Sequence, residues 1–186
     1  MLHLAKLLVI AMFMMNSAVT RALMNTSNSL SRTRSLRVET RRLLTVNILV
    51  VGKKNSVEDF IQDGCDEYEK RLKPTMKVST IFLKDDDALV KAVSSAKGTI
   101  LAMDENGTQH SSRAFADVFH KSLEDGGATL NFVIGGFAGL PPEIKKSKSL
   151  ISLSNMTWTH QMARLLLLEQ VYRATEIRKG SGYHKD

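Results

Sequence analysis

"ATLNFVIGGFAGLPPE", residues 128–143, sets a β-branched and aromatic run against three glycines and closes on two prolines. Glycine weakens a strand or helix through entropy, and proline does so by lacking an N–H. The run reads as a buried strand, with Gly135, Gly136 and Gly139 forming a bare turn at its carboxyl end. The "PPEIKKS" that follows predicts a short helix, because proline is tolerated in a first helical turn. The loop has neither the G-x-G-x-x-G spacing of a dinucleotide fingerprint nor the G-K-[ST] ending of a Walker A loop. From the glycines alone two readings stand level. One is a plain strand-to-helix turn, the other a loop whose bare main chain lets a flat ligand lie against it.

The same alternation extends to both sides. "TVNILVVGKK" (45–54), "KVSTIFL" (77–83) and "TILAMDENG" (99–107) read as strands, the last stopping at a polar turn. "SLISLS" (149–154) reads as a short fifth strand. Helices are predicted over 56–74, with Ser56 as cap and Pro74 as stop, and over 85–98, 111–127 and 157–180. Strands that alternate with helices predict an α/β fold with a mainly parallel sheet flanked by helices. In such sheets ligands sit at the carboxyl ends of the strands. Three loops there are polar or glycine-rich, 104–107, 135–140 and 154–159, and all three can converge on one crevice.

The 186 residues suit one domain with an extension, and 43% hydrophobic content suits a globular core. A net charge of +7 suggests a nucleic-acid binder, but its distribution does not. Residues 1–45 hold seven basic side chains against one acid, Glu39, while the rest holds nineteen basic and eighteen acidic. Contact with a polyanion therefore depends on local patches such as Lys145, Lys146 and Lys148, or Arg178, Lys179 and Lys185. One cysteine, Cys65, excludes an intrachain disulfide and a cysteine-based zinc site, and no two histidines stand four apart. No metal is expected. The division predicted is a leader over 1–45 and a folded domain over 46–186.

In the leader, the apolar run Leu7–Met15 is too short to span a bilayer and matches the core of a signal peptide, with Ala18 or Ala22 as cleavage marks. The Ser-, Thr- and Arg-rich stretch behind it has transit-peptide composition. Either a bipartite leader to a plastid or a mitochondrial presequence accounts for both, and the plastid is preferred.

From Val46 onward the chain resembles the ribosomal RNA large-subunit methyltransferase H family, a branch of the SPOUT methyltransferases. "VIGGFAGL", "LSNMTWTHQMARLLLLEQVYRA" and the terminal "GSGYHK" carry the likeness, with "ILVVGK" and "YEKRL" in support. The resemblance implies a homodimer with a C-terminal trefoil knot. It implies transfer of a methyl group from S-adenosyl-L-methionine to N3 of a pseudouridine in large-subunit ribosomal RNA, with the ribosome as partner and without a membrane. By motif it places Met103, Gly135, Gly136, Leu153, Ser154, Asn155, Met156, Thr157 and Trp158 around the cofactor. Departures from the family pattern are Thr159, where proline is common, and Phe137-Ala138 in place of Pro-Glu or Ser-Leu.

Methyl transfer to an imide nitrogen needs alignment and loss of the N3 proton, so a base or a cation must face the acceptor. His184, Tyr183 and Arg164 are the catalytic candidates; His160, Arg173 and Lys185 are the substrate-binding ones. His160 has a plainer reading as a cap that positions the cofactor loop. Glu169 reads as the partner of Arg173 by helical spacing. The leucine run 165–168 reads as a helix buried between the sheet and a second subunit. A transfer RNA methyltransferase of the same fold and a non-catalytic ribosome-assembly factor are the alternatives.

Overall fold

The computed structural model describes residues 43–185, so the predicted leader, apart from its last three residues, lies outside the described residues. Five strands form one sheet: β1 (Leu44–Val51), β2 (Met76–Leu83), β3 (Thr99–Gln109), β4 (Thr129–Ile134) and β5 (Ser149–Ser152). Their order is β2-β1-β4-β3-β5, and every neighbouring pair is parallel. The helices are α1 (Asp59–Leu72), α2 (Asp86–Ser95), α3 (Ser112–Asp125), α4 (Pro142–Ser147) and α5 (His160–Lys179). The α/β class expected from the sequence is therefore the one observed.

Period-2 alternation splits the strand side chains between two cores. Val46, Ile48 and Val50 of β1 and Leu130, Phe132 and Ile134 of β4 face α1, α3 and α5. Phe132 stacks there with Phe115 and Phe119 of α3, at centroid distances of 6.4 Å. Leu49 and Val133 point the other way, onto Leu89 and Val93 of α2 and Ile144 of α4. Asn131 is 2% exposed in β4, yet it donates to the Lys97 carbonyl at 2.8 Å and accepts from Asn47 at 2.9 Å. A buried amide satisfied in this way holds the sheet together instead of weakening it. Cys65 is buried.

Two local readings are corrected. Ser56 does not cap α1; its Oγ donates to the Lys53 carbonyl at 2.8 Å and closes a one-turn 3-10 helix, and α1 begins at Asp59. β3 does not stop at Asp104 but runs to Gln109, interrupted opposite β5, where both Met103 and Thr108 pair with Ile151. The cause is an Asx turn inside the strand: Asp104 Oδ1 accepts the Asn106 N–H at 3.0 Å, which bulges the chain. The leucine run of α5 is covered in part within its own chain, and Leu165 and Leu166 stay half-buried. Leu167 and Leu168 are fully buried in the core, and Leu165 lies against Gly64 of α1, where an added Cβ would come within 2.9 Å.

Candidate active site

The bulge inside β3 and the loops that leave β4 and β5 meet around a cavity of about 270 Å³. Its walls are Met103–Glu105, Gly135–Leu140 and much of the stretch 152–158. The convergence expected from the three polar and glycine-rich segments is therefore present.

The glycine wall is main chain folded on main chain. A Cβ at Gly135 would stand 2.2 Å from the Gly139 carbonyl oxygen, so no side chain fits there. Gly136 differs: a Cβ there meets Val51 of β1 at 3.1 Å, a contact the side chain can yield to.

The opposite wall is organised by one hydroxyl. Ser154 Oγ accepts the Met156 N–H and the Trp158 indole N–H, each at 3.0 Å. Thr157 ties the loop to β3 by donating to Glu105 at 2.6 Å, and the Gln109 amide donates to Asn155. That last bond turns Asn155 toward β3, and it is the one residue of the predicted cofactor set that does not line the cavity. On the third wall Lys145 pairs with Asp104 at 2.8 Å. Burial pushes the Asp104 carboxyl up, but the Lys145 ammonium and the Asn106 N–H together hold it below the usual carboxylate range. This clip between β3 and α4 was not read from the sequence. The i, i+2 pairing of Asp104 and Asn106 was its only local sign.

His160 also lines the cavity, as the first residue of α5. It is not the cap of that helix. Thr159 is, accepting the Met162 N–H at 3.3 Å. Burial, and then the nearby Arg164 charge, lower the His160 imidazole below its ordinary value. Arg164 itself is 1% exposed and does not face the cavity. It donates to Gln62 at 3.1 Å and lies 5.2 Å over the Phe82 ring, so in this chain it cements α5 to α1 and β2.

The tail is ordered on α5. Glu169 Oε1 accepts from Arg173 at 2.5 Å and from the Tyr183 hydroxyl at 3.0 Å. The Arg173 guanidinium lies 4.9 Å over the Tyr183 ring and contacts His184 Nδ1 at 3.4 Å. The expected Glu169–Arg173 pair is thus present, and it anchors the tail as well. Burial, with hydrogen bonds to Tyr68 and Glu169, pushes the Tyr183 hydroxyl well above its usual value. Lys185 is exposed. Tyr183, His184 and Arg173 do not join the cavity of their own chain. Nine residues of α5 separate His160 from Glu169, about 14 Å of helix rise.

Among the described residues no group of three His, Cys, Asp or Glu is arranged to hold a metal, and no helix is long and apolar enough to cross a membrane.

Residues 44–184 match the family described as predicted SPOUT methyltransferase. The fold is therefore that of a SPOUT methyltransferase. The chain is 45% identical over 143 residues to a protein of Protochlamydia amoebophila named ribosomal RNA large subunit methyltransferase H, covering 77% of this chain and all of that one. It is 34% identical over 155 residues to the protein of that name from Dictyoglomus thermophilum, covering 76% and 99%. Among solved structures it is similar, at 12% identity and a TM-score of 0.48, to a probable methylase family protein from Haemophilus influenzae, over 76% of this chain and 70% of that one. The chain belongs to the ribosomal RNA large subunit methyltransferase H family.

Proposed function

We propose that this protein methylates N3 of a pseudouridine in the large-subunit ribosomal RNA of an organellar ribosome, with S-adenosyl-L-methionine as donor. The observation that carries this reading is the single cavity formed by the β3 bulge and the loops that leave β4 and β5, together with the name borne by relatives that the chain covers end to end. Arginine-rich, acid-poor residues 1–45 support the organelle address, with the plastid preferred.

The cavity's chemistry fits the donor. Main-chain groups of 135–140 can hydrogen-bond an amino acid or a base edge. The Trp158 indole offers a face to a ring, and Met103 and Leu153 offer apolar wall. Glu105 supplies a carboxylate beside these groups, suited to hydroxyls or a positive charge. When bound, S-adenosyl-L-methionine supplies a methyl group on a sulfonium, which a nitrogen takes in one displacement.

The remaining work falls to the tail. Arginine only donates, so His184 Nδ1 is the acceptor in its contact with Arg173. In this reading the tail imidazole donates to an imide oxygen of the acceptor, which favours loss of the N3 proton to water. Glu169 neutralises Arg173 and holds Tyr183, so the pair Tyr183–His184 is presented as a fixed surface. Because this surface lies about 14 Å of helix from its own cavity, we propose a homodimer in which the tail of one protomer faces the cavity of the other. The knot belongs to the same reading. Its support is the course of the chain, which leaves edge strand β5 past the cavity and returns in α5 to the centre of the sheet.

The test is mass spectrometry of organellar ribosomal RNA with and without this protein. One N3-methylpseudouridine lost in its absence is the expected result. Methylation of transfer RNA alone, or binding to ribosomes without binding of S-adenosyl-L-methionine, would overturn it.

A further inference from the structure

The glycine loop carries a side chain that the reading above does not use. Gly136 to Gly139 form a turn closed by the Gly139 N–H on the Gly136 carbonyl at 3.0 Å, with Gly139 in the left-handed region at φ 81°. Phe137 stands at the first corner of this turn and is fully exposed, at 105%. Single exposed apolar residues are ordinary on a surface. This one has company: Met156 and Trp158, 66% and 39% exposed, line the same cavity with it. Gathered exposed apolar side chains mark a binding surface.

The place of this patch decides its occupant. The methyl acceptor has to reach the cavity, so what lies over the mouth during transfer is the acceptor and its neighbours, beside the partner's tail proposed above. Lys145 lines the same mouth and remains 41% exposed while paired with Asp104, and exposed Lys146 follows it. An aromatic face beside ammonium groups suits a nucleobase with its phosphates, since bases stack on aromatic rings and phosphates attract cations. An apolar protein surface would bury those charges without compensation.

We propose that Phe137 is a stacking platform for an unpaired nucleobase of the RNA that carries the methyl acceptor. The proposal rests on the RNA methyltransferase reading above. Stacking uses the π-face and not base edges, so it tolerates any base and acts on affinity.

The test compares the wild-type protein with Phe137→Ala, Phe137→Leu and Phe137→Trp. The probe is large ribosomal subunits that lack the methyl mark, and retention of protein on subunits is measured beside methyl transfer. Phe137→Ala is expected to weaken subunit binding and raise the KM for subunits about tenfold. Affinity for S-adenosyl-L-methionine, read from Trp158 fluorescence, should stay within about twofold of wild type. Phe137→Trp restores binding and Phe137→Leu does not. Unchanged subunit affinity, or equal rescue by leucine, overturns the proposal. So does a shift of Phe137→Ala from dimer to monomer in sedimentation, which would make the ring a contact between copies. Retention that depends on Phe137 without any methyl transfer would sink the proposed function and leave the platform standing. Methyl transfer with a KM indifferent to Phe137 would do the reverse.

Discussion

The two ends of α5 are built in different ways. At its start the chain makes a cavity from main chain: glycines folded on one another, a serine that gathers two N–H groups, and strand ends that fix the loops. At its far end the chain makes a surface from side chains, with Glu169, Arg173, Tyr183 and His184 joined by charge and hydrogen bonds. The first arrangement is mostly main chain, with Ser154 as the side chain that organises it. The second depends on four particular side chains. The contrast suits a division of labour, in which the cavity holds a small donor and the tail meets a large acceptor.

The largest effect is expected from breaking the first end alone. In Gly135→Val the added Cβ enters space held by the Gly139 carbonyl, so the loop must shift. Calorimetry should find S-adenosyl-L-methionine binding weakened at least about a hundredfold, a loss of about 2.7 kcal/mol or more. Binding within a few-fold of wild type would show that the loop is no wall of the donor site.

Breaking the second end should give the opposite pattern. Glu169→Ala removes the acceptor shared by Arg173 and Tyr183 and frees the tail. Methyl transfer to large subunits is expected to fall by about 10²-fold while donor affinity holds, the signature of positioning lost at the acceptor. A fall in donor affinity of the same size would mean that the two ends are not separate.

A finer probe of the cavity is Ser154→Ala, which releases the indole and leaves the Met156 N–H without its acceptor. A loss of about 1–2 kcal/mol in donor affinity is expected, the usual worth of such hydrogen bonds. The chain's single tryptophan reports it directly by fluorescence. An unshifted emission spectrum in the variant would argue that Ser154 does not hold Trp158. At the cavity end, as the cap of α5, Thr159 matters for stability only. Thr159→Ala should lower unfolding free energy by about 1 kcal/mol without a specific loss at either site.

The smallest effect concerns neither end but the helix pair between them. His120 of α3 bonds the Ala174 carbonyl of α5 through Nε2 at 3.1 Å, and its Nδ1 is buried without a partner. Burial first, and then the Arg178 charge, lower its imidazole below the usual value, while Glu124 and Asp117 pull the other way. The unfolded chain therefore binds this proton more readily than the folded one. The contribution is intact above the unfolded value of about 6.5 and is lost as pH falls from there through the lowered folded value. Melting temperature should drop as pH goes from 7.5 to 5, and less so in His120→Gln. Equal slopes would remove His120 from the account.

Much of this molecule was legible in its residues. Strand and helix order followed from the alternation of β-branched runs with capped, acid-started helices. The convergence of three segments followed from their expected places at strand ends. The i, i+4 pair Glu169–Arg173 followed from helical geometry. Ser56 misled because its hydroxyl found a nearer carbonyl, and β3 outran its expected end because an Asx turn can sit inside a strand without ending it. Arg164 misled for another reason. Its charge suggested a ligand, yet a guanidinium stacked on Phe82 and bonded to Gln62 lies within the fold.

Local physics, in short, was enough for class, order and the bare loop at Gly135, because propensity, periodicity and steric room act between residues close along the chain. Only the folded chain decided which side chains meet across long separations: Asp104 with Lys145, Thr157 with Glu105, Tyr183 with Glu169. Those contacts depend on where strands and helices come to rest, and no spacing within a single element encodes that.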